Sequence, residues 1–163
     1  MKRKKSFKFV RALVLGMHDA LVELGGIIAG LTFAIDSRRI IVMTGLIAAV
    51  AASLSMAAAN YQAERCENNP HALRAAMYTG IMYVGTSAML IFPYTVIANK
   101  FWALTMMGLI AALIIFGFNC AIGRDTGRPF IKRFTEMLAI CFGVAIVSFF
   151  IGGAARHFLG VNI

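Results

Sequence analysis

The sequence predicts an all-α integral membrane protein, a single domain over residues 1–163 built from five transmembrane helices. Three observations carry this. Five apolar runs each reach the roughly 20 residues that a helix needs to cross a bilayer. Hydrophobic residues make up 60% of the chain and the mean hydropathy is +0.80, well beyond the roughly 45–50% apolar content of soluble domains. Lys and Arg are concentrated at the ends of those runs and are shared unequally between the two sides. Five such runs leave no polar helix faces to meet water.

The first run spans about 12–35, behind the basic stretch MKRKKSFKFVRALVLG. That flank is charged like a signal peptide, but no A-x-A site follows, so the run is expected to stay as the first span. Asp36-Ser37 breaks it from the second, about 40–61. Asn69-Pro70 reads as an N-cap and first-turn proline for the third, about 75–98, which Pro93 is expected to bend. The fourth covers about 101–122 and the fifth about 134–159. Gly26 and Gly30 form a GxxxG pair, and Gly45, Ala48, Ala52, Ser55 and Ala59 dot the second span. Ordinary close packing of helices accounts for these small residues.

Charge orients the bundle. Lys2, Arg3, Lys4, Lys5, Lys8 and Arg11 precede the first span. Arg65 and Arg74 lie between the second and third, and Arg124, Arg128, Lys132 and Arg133 between the fourth and fifth. The opposite side has only Arg38, Arg39, Lys100 and Arg156. By the positive-inside rule the N-terminus is cytoplasmic and the C-terminus external, and a prokaryotic plasma membrane is the expected location. The formal charge of +9 does not indicate nucleic acid, because no basic–aromatic patch accompanies it; membrane lipids are the expected polyanionic neighbours. Cys66, Cys120 and Cys141 are an odd number without CxxC spacing, so no disulfide framework follows. Cys120 and Cys141 are expected as small buried hydrophobes. No nucleophile–base set, phosphate loop or H-E-x-x-H motif suggests an enzyme, and no permanently bound cofactor is expected.

The chemistry lies in the first span. Asp19 and Glu23 are four residues apart, on one face of a helix. At 1.5 Å per residue Asp19 is about 12 Å and Glu23 about 18 Å beyond Arg11, the latter near the bilayer midplane. A charge there costs about 2.5–3.5 kcal/mol on the insertion scale, which marks an intramembrane carboxylate as a functional candidate. Met56 is eight residues before Glu64, at the same depth as Asp19 if the two helices are neighbours, and Asn60 lies one turn nearer the cytoplasm. Two carboxylates beside a thioether suit Fe²⁺, Mn²⁺ or Co²⁺ better than Ca²⁺ or Mg²⁺. Buried carboxylates take up protons when no cation is present, which is the physical basis of exchanging protons for metal. His18 faces about 100° away from Asp19 and is a secondary candidate for ligand or relay. Glu64, Cys66, Glu67 and His71 fall in AERCENNPH, a polar loop or a loose capture site at the cytoplasmic mouth. Glu136 is placed at the cytoplasmic start of the fifth span, where an acid favours a helix N-terminus.

At these residues the chain resembles the vacuolar iron transporter (VIT) family. The matching stretches are D-A-L-V-E-L-G-G-x-x-A-G-L-T-F-A, A-S-L-S-M-A-A-A-N-Y, N-P-H-A-L-R-A-A and I-F-P-Y. The resemblance implies Fe²⁺ and Mn²⁺ export from the cytoplasm coupled to protons, by a homodimer with its path between the subunits. It implies that Asp19 and Met56 are the pathway aspartate and methionine, with Glu23 carried over from some branches. The chain departs from the pattern in three places. Asp-Gly is Asp19-Ala20 here. The usual Gly-Glu-Tyr is Ala59-Asn60-Tyr61. The long acidic insertion between spans two and three is missing, as in a minimal, insertion-free form. Size also favours a two-fold dimer, since a lone five-helix bundle is thin for enclosing a polar path and two copies of Asp19, Glu23 and Met56 would supply up to six ligand groups. The competing readings are a non-transporting membrane scaffold, with Asp19 and Glu23 paired to His18, Asn60 or Tyr61, and a channel or exporter for another cation or small solute.

Overall fold

The computed structural model describes residues 3–126 and 130–159, with side chains over 10–121 and 130–158. The side chains of the basic residues at positions 2–8, and of Arg124 and Arg128, lie outside the described residues. The described chain is helical almost throughout, and no strand occurs among the described residues. Helix α1 is Arg3–Asp19, a π-helical turn follows at Ala20–Leu24, and then come α2 (Gly25–Ala34), α3 (Arg38–Cys66), α4 (Ala72–Val96), α5 (Lys100–Thr126) and α6 (Phe130–Leu159). Five stretches are long and apolar enough to cross a membrane: Val10–Ala34, Arg38–Cys66, Ala72–Val96, Lys100–Ala121 and Phe130–Phe158. This is the all-α architecture that the apolar runs predict.

Helix α4 is the centre of the bundle. Its buried positions include Ala72, Ala75, Ala76, Thr79, Tyr83, Thr86, Ser87, Leu90, Ile91 and Tyr94, a three-and-four spacing that makes one continuous face. Helix α3 packs along α4 through Ile41, Gly45, Ala49, Ser53, Asn60 and Glu64. The opposite side of α3 turns Ile47, Val50 and Leu54 outward, as lipid contact requires. Helix α5 packs on α4 and α6. Cys141 is buried, but Cys120 is exposed rather than buried: the second half of α5 is covered on one side only, by α6.

The first span changes partner halfway. Its α1 half packs on α4 and its α2 half on α6. Each contact is a near-touch of backbones. A Cβ on Gly16 would collide with the Thr79 carbonyl, and one on Gly152 with the Gly30 carbonyl; a Cβ on Gly30 would stand 2.8 Å from the Ser148 carbonyl. The expected GxxxG pair is thus a packing surface, with Gly26 and Gly30 both against α6. The π turn is what lets one helix serve both neighbours. Gly16 and Gly30 are fourteen positions apart, and fourteen residues of regular α-helix, at about 100° each, would return to within about 40° of the starting face. The wide turn removes about 100° of that rotation, so the two glycines face different sides.

The α3–α4 connection corrects the sequence reading. Helix α3 runs on to Cys66, beyond the apolar run, and ends in a Schellman motif. Asn68 takes a left-handed φ of 53°, Asn69 N–H donates to the Glu64 carbonyl (2.9 Å) and Asn68 N–H to that of Arg65 (3.0 Å). Asn69 therefore closes α3 rather than capping the next helix directly. Its side-chain carbonyl accepts from His71 N–H, and α4 begins at Ala72, two residues past Pro70. Pro93 lies near the end of α4, where it can remove only the bond to the Met89 carbonyl. Glu136 lies in the second turn of α6, because that helix starts at Phe130.

The far ends of three helices meet at Asp36. Lys100 Nζ donates to Asp36 Oδ1 (2.6 Å) and to the Ile35 carbonyl (3.1 Å), and Arg156 donates to Asp36 Oδ2 (2.8 Å). The hydrogen bonds from Lys100 first, then Arg156, hold the Asp36 carboxyl below the usual carboxylate range. A group whose folded pKa is lowered contributes stability above its unfolded pKa and loses it as pH falls through the folded value. Asp36→Asn should therefore melt slightly below wild type at pH 7, the gap closing as the medium is acidified below the ordinary carboxylate range. The gap should be small and should shrink with added salt, since the carboxylate is exposed; thermal unfolding in detergent reads both.

The backbone contacts make a second prediction. Gly16→Ala and Gly152→Ala each force a shift of packed helices and should cost about 1–3 kcal/mol. Gly85→Ala, with open space around its Cβ position, should be neutral or mildly stabilising. Melting temperatures of the three variants check this.

Candidate functional site

Asp19 is the last residue of α1 and Glu23 lies within the π turn. The turn is defined by Gly25 N–H bonding the Ala20 carbonyl, five residues back, as well as that of Val22. Such turns recur at functional sites. The only nearby sequence signal was the Gly25-Gly26 pair, which removes two Cβ atoms where the backbone must widen. The two carboxylates remain near neighbours across the turn and interact electrostatically. Ala20, Leu21 and Leu24 between and beyond them are buried, so the turn presents its acids to one side and its apolar residues to the core.

Tyr83 is the partner that the sequence did not reveal. It is fully buried on α4 and its hydroxyl donates to Glu23 Oε2 at 3.1 Å; it also lies in the field of Asp19. Nothing in the spacing of an isolated tyrosine marks it, because the contact depends on how α1 and α4 pack. Asp19 and His18 are half-buried, whereas Glu23 is exposed on the surface of the chain. At its depth that exposure faces either hydrocarbon or another protein surface.

Met56 is half-buried on α3, but α3 packs only lightly on the first span, far less than it does on α4. Among the described residues no group of three or more His, Cys, Asp or Glu stands close enough to hold a metal ion. Among the described residues the chain brings Asp19 and Glu23 near one another and adds Tyr83 on Glu23.

The residues nearer the start of the span are used for tying helices. Asn60 is buried and donates to Thr79 Oγ1 (2.7 Å), which in turn bonds the Ala12 carbonyl (3.2 Å). This node joins α1, α3 and α4 beside the Gly16 contact. Glu64 is buried and accepts from the Asn69 side-chain amide, so it lies in a helix and not in a solvated loop. Glu67 pairs with Arg11 at 3.3 Å with both side chains more than half exposed, a geometry of little energetic weight. Tyr61 and His71 are exposed, and Arg65 sits 5.9 Å from the Tyr61 ring. Glu64, Cys66, Glu67 and His71 thus point to separate partners or to solvent, and they are not gathered into one site.

Comparison of the whole chain with curated proteins yields no match. The sequence model of the VIT family matches residues 10–71, the stretch that holds Asp19, the π turn, Glu23, Met56 and the Glu64–Asn69 closure. Over that stretch, less than half of the chain, the sequence is similar to the VIT family, and the chain carries five helices long and apolar enough to cross a membrane.

Proposed function

We propose that the chain works as a two-fold dimer that exports a divalent transition metal, Fe²⁺ or Mn²⁺, from the cytoplasm in exchange for protons. The observation that carries this reading is Glu23: a carboxylate exposed on the protomer surface, near mid-bilayer depth, held by one tyrosine hydroxyl. Left against lipid it would be a standing cost. Covered by a second copy, it would join Asp19 and their two symmetry mates in a shared polar path, with Met56 contributing from α3. Carboxylates and a thioether match borderline first-row divalent ions. The protons that the carboxylates take up when the metal leaves give the coupling.

Tyr83 has a defined part in this cycle. Its hydroxyl bonds Glu23 without adding charge, which steadies the carboxylate and leaves its second oxygen free for a metal. The π turn frees backbone geometry at the same point, so the acids can adjust without unwinding either α1 or α2.

The experiment is Fe²⁺ and Mn²⁺ uptake into proteoliposomes with and without an imposed pH gradient. Gradient-dependent uptake that falls to background in Asp19→Ala and Glu23→Ala supports the proposal, and Met56→Ala should weaken uptake of the softer ion more. Uptake indifferent to the gradient means a channel. Absence of uptake by a folded dimer favours a scaffold. Tyr83→Phe keeps the buried ring and removes the donor; it should lower flux about tenfold, in keeping with the ~1.5–3 kcal/mol of a hydrogen bond to a charged group, while the protein stays folded.

A further inference from the structure

At the far end of the bundle, opposite the N-terminus, a pocket of about 320 Å³ opens between the first turns of α3 and the last turn of α4. Arg38 and Arg39 form one end of it, Val42, Met43 and Leu46 the wall that descends along α3, and Tyr94 and Thr95 the other side. The volume is at the lower end of the range for small-ligand sites. Its two ends differ in chemistry.

The upper end is cationic and undercompensated. Arg38 is anchored by a bond to the Ile97 carbonyl (2.8 Å), which leaves other guanidinium donors free. Arg39 is exposed and has no acidic partner among the described residues. Asp36, the nearest acid in the chain, is occupied by Lys100 and Arg156. The first turn of α3 holds no acid, and Ser37 makes no side-chain cap. The partial positive charge of the helix end therefore adds to both guanidinium groups. The lower end is apolar: Met43 and Leu46 are each at least half exposed, and the Tyr94 hydroxyl is already bonded to Thr32 (2.7 Å), so Tyr94 offers the groove its ring and no free donor. Arg38 is the first residue of its span. The cationic end therefore lies at head-group level and the apolar wall runs into the hydrocarbon.

We propose that this groove binds one anionic phospholipid, with its phosphate on Arg39 and Arg38 and the start of one acyl chain along Val42, Met43 and Leu46. A soluble anion would meet the arginines and leave the apolar wall bare. A second copy seated here about a two-fold axis would bring two more arginines to the same place, against like-charge repulsion. The site is separate from the carboxylates of the first span and does not depend on the transport reading.

The test is native mass spectrometry of the purified, delipidated full chain. It is titrated with dioleoyl phosphatidylglycerol, with dioleoyl phosphatidylcholine, and with glycerol phosphate as the free head group. One phosphatidylglycerol per protomer, bound at least about fivefold more tightly than phosphatidylcholine, is expected, and Arg39→Gln should erase that preference, about fivefold being the weight of one cation at a membrane surface. Leu46→Trp fills the wall with the charges unchanged and should weaken both lipids. Equal binding of the two lipids by wild type, or phosphatidylglycerol binding unaltered in Arg39→Gln, overturns the proposal. So does competition by glycerol phosphate as strong as that of the lipid. A change in subunit association in place of lipid occupancy, in both variants, would assign the groove to a second copy and overturn it equally. Both side chains are exposed, so neither substitution disturbs the core.

Discussion

The position of the first span is set by two places where backbones nearly touch, Gly16 against Thr79 and Gly30 against Gly152. A helix held this closely on one side by α4 and on the other by α6 cannot slide or roll without a clash. Several of the buried polar contacts are indexed to these two places. Thr79 bonds the carbonyl of Ala12 and the amide of Asn60 at the first of them. Tyr83, one turn further along α4, then arrives opposite Glu23, and Thr32 meets Tyr94 beyond. With no water in the hydrocarbon to make good a missed partner, small residues and short hydroxyl contacts carry the alignment that a hydrophobic core carries in a soluble protein.

Two kinds of carboxylate result. Asp36 and Glu64 are satisfied, the first by two cations at the end of the bundle and the second by the Asn69 amide. Glu23 has one neutral donor and an open side. The energetic contrast is large, because the same group that is nearly free to sit at an interface is penalised at mid-depth. That contrast, more than the mere presence of acids in an apolar run, separates the carboxylates that fasten the helices from the one left with an open side.

The fold was legible in the sequence to the extent that the bilayer dictates it. Five apolar runs and their breaks at Asp36-Ser37 and Asn69-Pro70 follow from the length that a helix needs to cross hydrocarbon. Asp19 and Glu23 were legible for the same reason, since a charge in such a run is anomalous. The π turn was not, because one extra backbone residue leaves the hydropathy pattern nearly unchanged. Tyr83 was not, because an aromatic in a membrane helix reads as filler until its neighbour is known. Glu64 was read as loop because the apolar run ended before it, yet a left-handed Asn68 and the Asn69 closure let α3 continue with a buried acid in its final turn. Local punctuation was visible in Asn-Asn-Pro; which helix it served was decided by tertiary contact.

The wide turn at Ala20–Leu24 also bears on how this chain could vary in length. Because it amounts to one residue added to a continuous α-helix, a chain lacking any single residue of that turn would still present Gly16 to α4 and Gly30 to α6. Its bundle would close in the same way, with regular hydrogen bonding restored and the local widening beside the acids gone. A shortening of one residue between Gly16 and the turn, or between the turn and Gly30, with the wide turn kept, would instead swing one half of the span by about 100° and take a glycine out of its contact. The first span is thus tolerant of a length change at the one point where its carboxylates lie, and intolerant on either side of it.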